Sequence, residues 1–476
     1  MLCEILSPAQ MERIHRASLE ILETIGVVIP HPEVLRRLAD CGAVVDFPGS
    51  RARMGPDLVE RLIAQAGRQY TLHGRDLNKT AAFGQGARNY NSIAGEAFFV
   101  DSPGGARRLA TLDDVRTATR FADALDEISI PGAMADPREL SPASRCVRVL
   151  AAMLENTTKP VHFWFNDRAS ARFIIEMLTA VRGTEDDAAR YPLCTPFLEP
   201  ISPLRFPFDG VDLLFETARL NLPVPVGPMA QMGLSAPATV AGTIAQENAE
   251  ILAGVCITQV IRPGTPVCYG GICHAFDMRT TQLIFGGPEQ AIFGVAMTQM
   301  GKRYGFPVYI NAGLTDSKRP DAQAGLEAGV TLAFGAAAGA DIFGHMGISG
   351  VDQASSLDML AFQAEVISYV ESAMRELDVS DDALGLDAIR AAGPGGTFID
   401  QQHTVDHFRR ELWFPRLLDR DYYQAWLDTG GPSTEDRCRA RKEDILKSHR
   451  PEPLPAGLAR EISRIAESAG RHLDAA

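Results

Sequence analysis

An asparagine, an aspartate, a lysine and a histidine fall at or just beyond the ends of two apolar runs in GFPVYINAGLTDSKRPDAQAGLEAGVTLAFGAAAGADIFGHMGI, residues 305–348: Asn311, Asp316, Lys318 and His345. If both runs are strands of a parallel β/α unit, all four reach the carboxyl-end face, where such folds keep their ligands. Lys318 invites Schiff-base chemistry, since a lysine desolvated in such a fold gains a depressed pKa and attacks carbonyls. Its setting, SKRPD, is a polar loop at a helix start, which favours a solvated amine. Cys268, Cys273 and His274 in PVCYGGICHAFD invite zinc. Strand alternation puts the two cysteines on opposite faces unless the chain bends at Gly270 and Gly271, so buried apolar thiols compete with that reading. His403 and His407 have the spacing of zinc ligands on a helix, but Thr404 stands where a hydrolytic H-E-x-x-H needs glutamate. A packed or capping pair is the simpler expectation.

The elements that position these groups repeat along the chain. Apolar runs at 89–93, 128–133, 161–166, 193–198, 224–230, 267–273, 308–311 and 341–345 read as strands. Pro160, Pro192, Pro223, Pro266 and Pro307 open five of them, where no ladder donor is needed, and stand 31 to 43 residues apart. Between the runs lie helices with Ser, Thr, Asp or Pro near their starts, such as TLDDVRTATRFADAL and SSLDMLAFQAEVISYV. Strands and helices alternating in this way predict an α/β fold, a (β/α)8 TIM-type barrel over 87–376. Residues 1–86 are expected to form a mixed N-terminal cap and 377–476 a C-terminal helical extension whose last part is solvated. The rival, a doubly wound sheet, lacks a G-x-G-x-x-G turn after any strand.

A barrel would collect at its mouth Tyr90, Phe165, Glu199, Gln231, Phe276, Asn311, Phe343 and His345. The set holds no Ser-His-Asp arrangement and no close carboxylate pair, so hydrolysis is not its chemistry. Aromatic faces with a few acceptors suit a quaternary ammonium, held by cation–π attraction. The competing reading makes the same aromatics core layers. A formal net charge of −14 argues against nucleic acid and anionic membrane surfaces. No apolar run is long enough to span a membrane, and the eight cysteines are scattered, so a cytoplasmic protein with reduced thiols is expected.

Five separated motifs, LSPAQMERIHRASLEILETIGV, DSPGGARRLATLDDVRTATRFADALDEI, FDMRTTQLIFGGPEQ, NAGLTDSKRPDAQAGLEAG and GPGGTFIDQQHTVDHFRRELWFPRLLDR, occur in an order that resembles the trimethylamine methyltransferase family nearly end to end. The resemblance implies a barrel enzyme that takes a methyl group from a methylated amine and hands it to the cobalt of a corrinoid (cobalamin) on a separate small protein. The family's archaeal founders carry pyrrolysine, at a position falling in or near 314–318, where this chain has only standard residues. It is therefore more similar to the non-pyrrolysine branch, which includes glycine betaine methyltransferases. On that reading Tyr90, Phe165, Phe276 and Phe343 hold the trimethylammonium group, Gln231, Asn311 and His345 meet the carboxylate, and Glu199 stabilises the cation or caps a helix. Neither a catalytic acid or base nor a metal-ligand set is expected. The alternatives are a betaine-binding barrel without turnover and a zinc-dependent corrinoid methyltransferase using Cys268 and Cys273. Association into a homo-oligomer through the helical appendages is also expected.

Overall fold

Five short runs form the central sheet of the computed structural model, which describes residues 3–475. They are β1 (Asn89–Ser92), β2 (Val224–Val226), β3 (Val267–Gly271), β4 (Val308–Asn311) and β5 (Ile342–Met346). All pair in parallel, in the order β1-β5-β4-β3-β2. Every residue in them is buried, as expected of parallel strands covered on both faces.

The three other expected strands form no ladder. Segments 128–133, 161–166 and 193–198 are extended but touch their neighbours through isolated parallel bridges, Asn91 to Ile130, Gly132 to His162 and Leu198 to Val226. The Val161 N–H also donates to the Leu193 carbonyl at 3.1 Å. Proline explains the thin pairing. Pro131 and Pro196 have no N–H to give, and segment 161–166 lies between the two runs that contain them.

Side-chain alternation divides the core in two. Ile130, Cys268, Ile272, Tyr309 and Ile342 point to the inner side, where a hairpin of Tyr70–His73 and Thr80–Phe83 adds Tyr70, Leu72, Ala81 and Phe83. That hairpin plugs the end at which the strands begin: its His73 N–H donates to the Pro192 carbonyl at 2.8 Å, and Gly84 N–H to Asp341 Oδ1 at 2.9 Å. The larger apolar cluster lies outside, between strands and helices. The helices start where their capping residues stand. Thr111, Asp167, Thr239, Asp321 and Ser356 each accept a backbone N–H from the first turn of Leu112–Asp123, Arg168–Arg182, Val240–Ile261, Ala322–Ala338 and Leu357–Ala373.

The N-terminal segment covers helix Val240–Ile261, and a polar network fastens it. Asn248 Nδ2 donates to Ser18 Oγ at 2.8 Å and to Tyr304 OH at 3.1 Å, its Oδ1 accepts from Tyr269 OH at 2.8 Å, and His15 Nδ1 lies 2.8 Å from Tyr304 OH. The last two helices are not the solvated end that their polar sequence predicts. Thr434–Ser448 buries Cys438 and Ile445, and Ala456–Leu473 buries Ile462, Ile465 and Ala469 against helices Arg145–Asn156 and Arg168–Arg182. Lys442 Nζ reaches the fully buried Asp358 at 2.7 Å, which secures the first of them. Among the described residues no helix is long and apolar enough to cross a membrane.

Candidate functional site

Where the strands end, a cavity of about 270 Å3 is lined by three aromatic rings, Trp164, Phe197 and Phe285, three carboxylates, Glu96, Glu199 and Asp352, and the polar tips of Asn311 and His345. It adjoins a more open cleft of about 610 Å3, which shares Trp164, Phe197, Glu199 and Met229 with it and adds Phe165, Gln231 and Leu234.

Buried polar side chains fix the loops that carry these groups. Trp164 Nε1 donates to the Gly95 carbonyl at 3.2 Å, and its ring stands edge-on to Phe197 and His345, 6.2 and 6.4 Å between centroids. Phe285 stacks on His274 at 4.5 Å while its N–H donates to Asp316 Oδ1 at 2.7 Å. Glu247, fully buried, accepts from the Ala230 and Ile272 N–H groups at 3.1 and 2.9 Å and so holds the loops behind Met229 and Ile272. Gln363 clamps two further loops, its Oε1 accepting from Gly347 N–H and its Nε2 donating to the Gly313 carbonyl, both at 2.6 Å. Asn311 Nδ2 donates to His274 Nε2 at 2.9 Å, which leaves Asn311 Oδ1 without a partner; His345 Nε2 and His162 Nε2 also have none.

Asp352 arrives on an unusual turn. Gly350, Val351 and Asp352 all have left-handed backbone, with φ of 67°, 59° and 57°. That conformation costs a non-glycine residue roughly 1–2 kcal/mol. A four-stranded sheet of Phe98–Val100, Arg107–Leu109, Ile348–Ser349 and Ala354–Ser356 frames the turn and holds it beside the cavity.

The electrostatics are one-sided. Burial, and then the charge of Asp352, pushes Glu199 up to about 7, although Glu199 still meets solvent on the cleft side. Burial also pushes Glu96 up to about 9, with Asp352 and Asp136 adding to the effect; Asp352, exposed on its turn, is raised as well and hydrogen-bonds Glu96. Among the described residues no lysine or arginine compensates these three. The imidazoles add no positive charge. Burial holds His162 down at about 4 and His274 at about 3, and it keeps His345 well below its ordinary range, with His162 and His274 assisting. The cavity is thus an aromatic box whose carboxyl groups have no basic partner: Glu96 and Asp352 share a proton at neutral pH, and Glu199 is close to half ionised.

The eight residues expected at the mouth divide into three groups. Glu199, Asn311 and His345 line the cavity, and Phe165 and Gln231 join Glu199 in the cleft. Tyr90, Phe276 and Phe343 line neither. Tyr90 and Phe343 stack on each other at 5.0 Å on the outer side of the sheet, and Tyr90 OH donates to Glu371, which Arg88 also holds. The inward positions beside them belong to Asn91 and Gly344, where a Cβ on Gly344 would meet Tyr309 OH at 2.1 Å and Asn91 Oδ1 at 2.3 Å. Phe276 pairs with Leu283 in an antiparallel hairpin beyond the strand end.

Lys318 is exposed and donates to the Asp316 carbonyl at 2.8 Å. Cys268 belongs to the inner apolar cluster and Cys273 to the outer one, and burial raises both thiols. Among the described residues no three of His, Cys, Asp and Glu are grouped to hold a metal ion. His403 and His407 stack at 4.1 Å, with His403 Nε2 2.9 Å from the Asp382 carbonyl. Trp164, Phe285, Glu96 and Asp352 are cavity residues that the strand-end reading left out.

A family model described as trimethylamine methyltransferase (MTTB) matches residues 1–468. The glycine betaine methyltransferase of Desulfitobacterium hafniense (strain Y51) is 29% identical over 98% of this chain and 98% of its own length. The trimethylamine methyltransferase MttB of Desulfitobacterium hafniense (strain DSM 10664 / DCB-2) is 28% identical over 97% of this chain and 93% of its own. The crystal structure of the Methanosarcina barkeri monomethylamine methyltransferase (MtmB) superposes with a TM-score of 0.56, covering 99% of this chain and 88% of that one at 11% identity, which is a likeness of fold.

Proposed function

The chain belongs to the trimethylamine methyltransferase family and is a methyltransferase; we propose that it demethylates a quaternary amine, the class to which glycine betaine belongs, and passes the methyl group to the Co(I) corrinoid of a partner protein. The observation that carries this reading is the aromatic box with three carboxylates and no basic partner. A trimethylammonium group is apolar in outline and positive throughout, so it offers no hydrogen bond and needs none. Each aromatic face contributes about 0.5–2 kcal/mol to holding it, and a carboxylate 4 Å away contributes up to about 4 kcal/mol at an effective dielectric of 20. Relatives named for trimethylamine and for glycine betaine support an amine substrate. The standard residues at 314–318 favour a quaternary amine, whose fixed charge already makes a methyl carbon open to attack.

In this mechanism the protein positions. Trp164, Phe197 and Phe285 enclose the cation and exclude water, Glu199 and the Glu96–Asp352 pair balance its charge, and one methyl group is turned toward the cleft. The corrinoid, when docked, supplies the nucleophile. The C–N electron pair stays on nitrogen and the product leaves as a neutral tertiary amine, so no proton is transferred and the neutral imidazoles suffice. Phe165, Ile201 and Leu234 give the cleft an apolar face compatible with such a partner group, with Glu199 and Asp209 as its charged groups.

We read the five-stranded sheet and its three bridged segments as one closed ring, a (β/α)8 barrel over 87–376 with 1–86 as its cap and 377–476 as its extension; the bridges from β1 through Ile130, His162 and Leu198 back to β2 support this. Eight unpaired cysteines agree with a cytoplasmic setting. Incubating the protein with cob(I)alamin and a panel of quaternary amines should convert the corrinoid to its methylated form, read by absorbance. Measurable amine binding without any spectral change would replace this reading with that of a binding protein, and loss of turnover to a chelator would favour the zinc-dependent one.

A further inference from the structure

We infer that the substrate is a quaternary ammonium with an uncharged tail, bearing a hydroxyl or an alkyl group, and that a carboxylate tail is selected against. The inference rests on the reading of the cavity as a cation site. The cation and its tail must share the cavity and the cleft, and no lysine or arginine lines either one. Carboxylates line both: Glu96, Glu199 and Asp352 in the cavity, Glu199 again with Asp209 in the cleft.

A zwitterion would therefore set its own carboxylate beside Glu199 and Asp209 with no lysine or arginine to receive it, and proteins discriminate most sharply through such uncompensated groups. The cavity amide expected to receive a carboxylate is turned away from that role. Asn311 gives one of its two Nδ2 hydrogens to His274 and presents Oδ1, an acceptor, which repels an anion and accepts from a hydroxyl. The second expected amide, Gln231, lies out in the cleft, where the charged groups are Glu199 and Asp209. His345 offers one neutral ring nitrogen at most. A hydroxyl tail, by contrast, finds acceptors in Asn311 Oδ1 and Glu199, and an alkyl tail finds Leu213, Leu234 and Phe165 in the cleft.

The test is calorimetric titration of the full chain at pH 8 with 2-hydroxyethyl-trimethylammonium, tetramethylammonium and glycine betaine, alongside cob(I)alamin methylation with each. The two cations without a carboxylate should bind about tenfold or more tightly than glycine betaine. Glu199→Gln should narrow the gap from both sides, weakening the cations and strengthening the betaine; Asp352→Asn should act in the same direction and serves if the first variant folds poorly. Glycine betaine binding as tightly as the cations, or weakening in both variants, would overturn the inference and leave the methyltransferase reading intact. If no quaternary amine binds at all, the cation site itself falls.

Discussion

Glu199 ties cation binding to pH. Its carboxyl is raised to about 7 by burial and by Asp352, and a bound cation favours its ionised form. Affinity for tetramethylammonium should therefore rise between pH 6 and pH 8, by up to about tenfold if this one group dominates, and Glu199→Gln should flatten the profile; titration across that range checks both. The stability sign is opposite for the empty protein. A carboxyl raised in the fold binds protons more readily folded than unfolded, so the stability it lends is greatest at acid pH and is lost as pH rises through about 7. The melting-point gain from saturating cation should accordingly be larger at pH 8 than at pH 6. At this scale the sequence was legible where a strand end is unambiguous: Asn311 and His345 reach the cavity as their positions predict. It was illegible by one step of alternation elsewhere, since the cavity takes Trp164 and leaves the neighbouring Phe165 to the cleft. Glu96 and Asp352 follow their strands by several residues, on turns whose path no local pattern encodes.

The loop and the plug sit at opposite ends of the strands and should separate function from stability. Val351 holds left-handed backbone that glycine adopts freely. Val351→Gly is expected to leave global stability unchanged or raise it by about 1 kcal/mol, while loosening Asp352 and weakening cation binding several-fold. Phe83, 2% exposed and stacked on Tyr70 at 4.4 Å, anchors the hairpin that closes the other end. Phe83→Ala should cost about 3–5 kcal/mol and leave cation affinity in the folded fraction unchanged. Denaturant melts paired with titration measure both, and a loss of affinity in Phe83→Ala equal to that in Val351→Gly would refute the separation. Elements were more legible than residues because capping and periodicity act locally: Thr111, Asp167 and Ser356 mark their helices in the sequence and cap them in the structure. The weak pairing at 128–133 and 193–198 was visible too, in Pro131 and Pro196, but the opening prolines at 160 and 192 drew the same signal toward strand.

For the whole molecule, the distribution of apolar surface predicts association with a second copy of the chain. Among the described residues, half of the exposed large hydrophobic side chains fall within 377–427, among them Leu377 at 80%, Ile399 at 83% and Tyr422 at 91%. This segment is tethered to its own body by Glu365, whose Oε1 accepts the N–H groups of Arg416, Leu417 and Leu418 at 2.9, 2.9 and 3.1 Å, by the buried Leu417, by Trp413 Nε1 donating to Ser368 Oγ at 2.9 Å and by the Arg416–Glu127 pair at 2.8 Å. A second exposed stripe, Leu326, Val330 and Phe334, runs along one face of helix Ala322–Ala338 at the spacing of a docking face. Full burial of a large apolar side chain contributes about 1.5–3 kcal/mol, and a standard interface needs roughly 800 Å2 from each partner. Light scattering on the purified chain at micromolar concentration should give a mass of two or more chains, and Ile399→Asp combined with Tyr422→Asp should shift it toward one while leaving cation binding in place. A monomeric unmodified chain that becomes a stable pair only with a corrinoid protein would assign the same face to that partner instead, because a surface this apolar is covered by whichever protein it meets in the working complex.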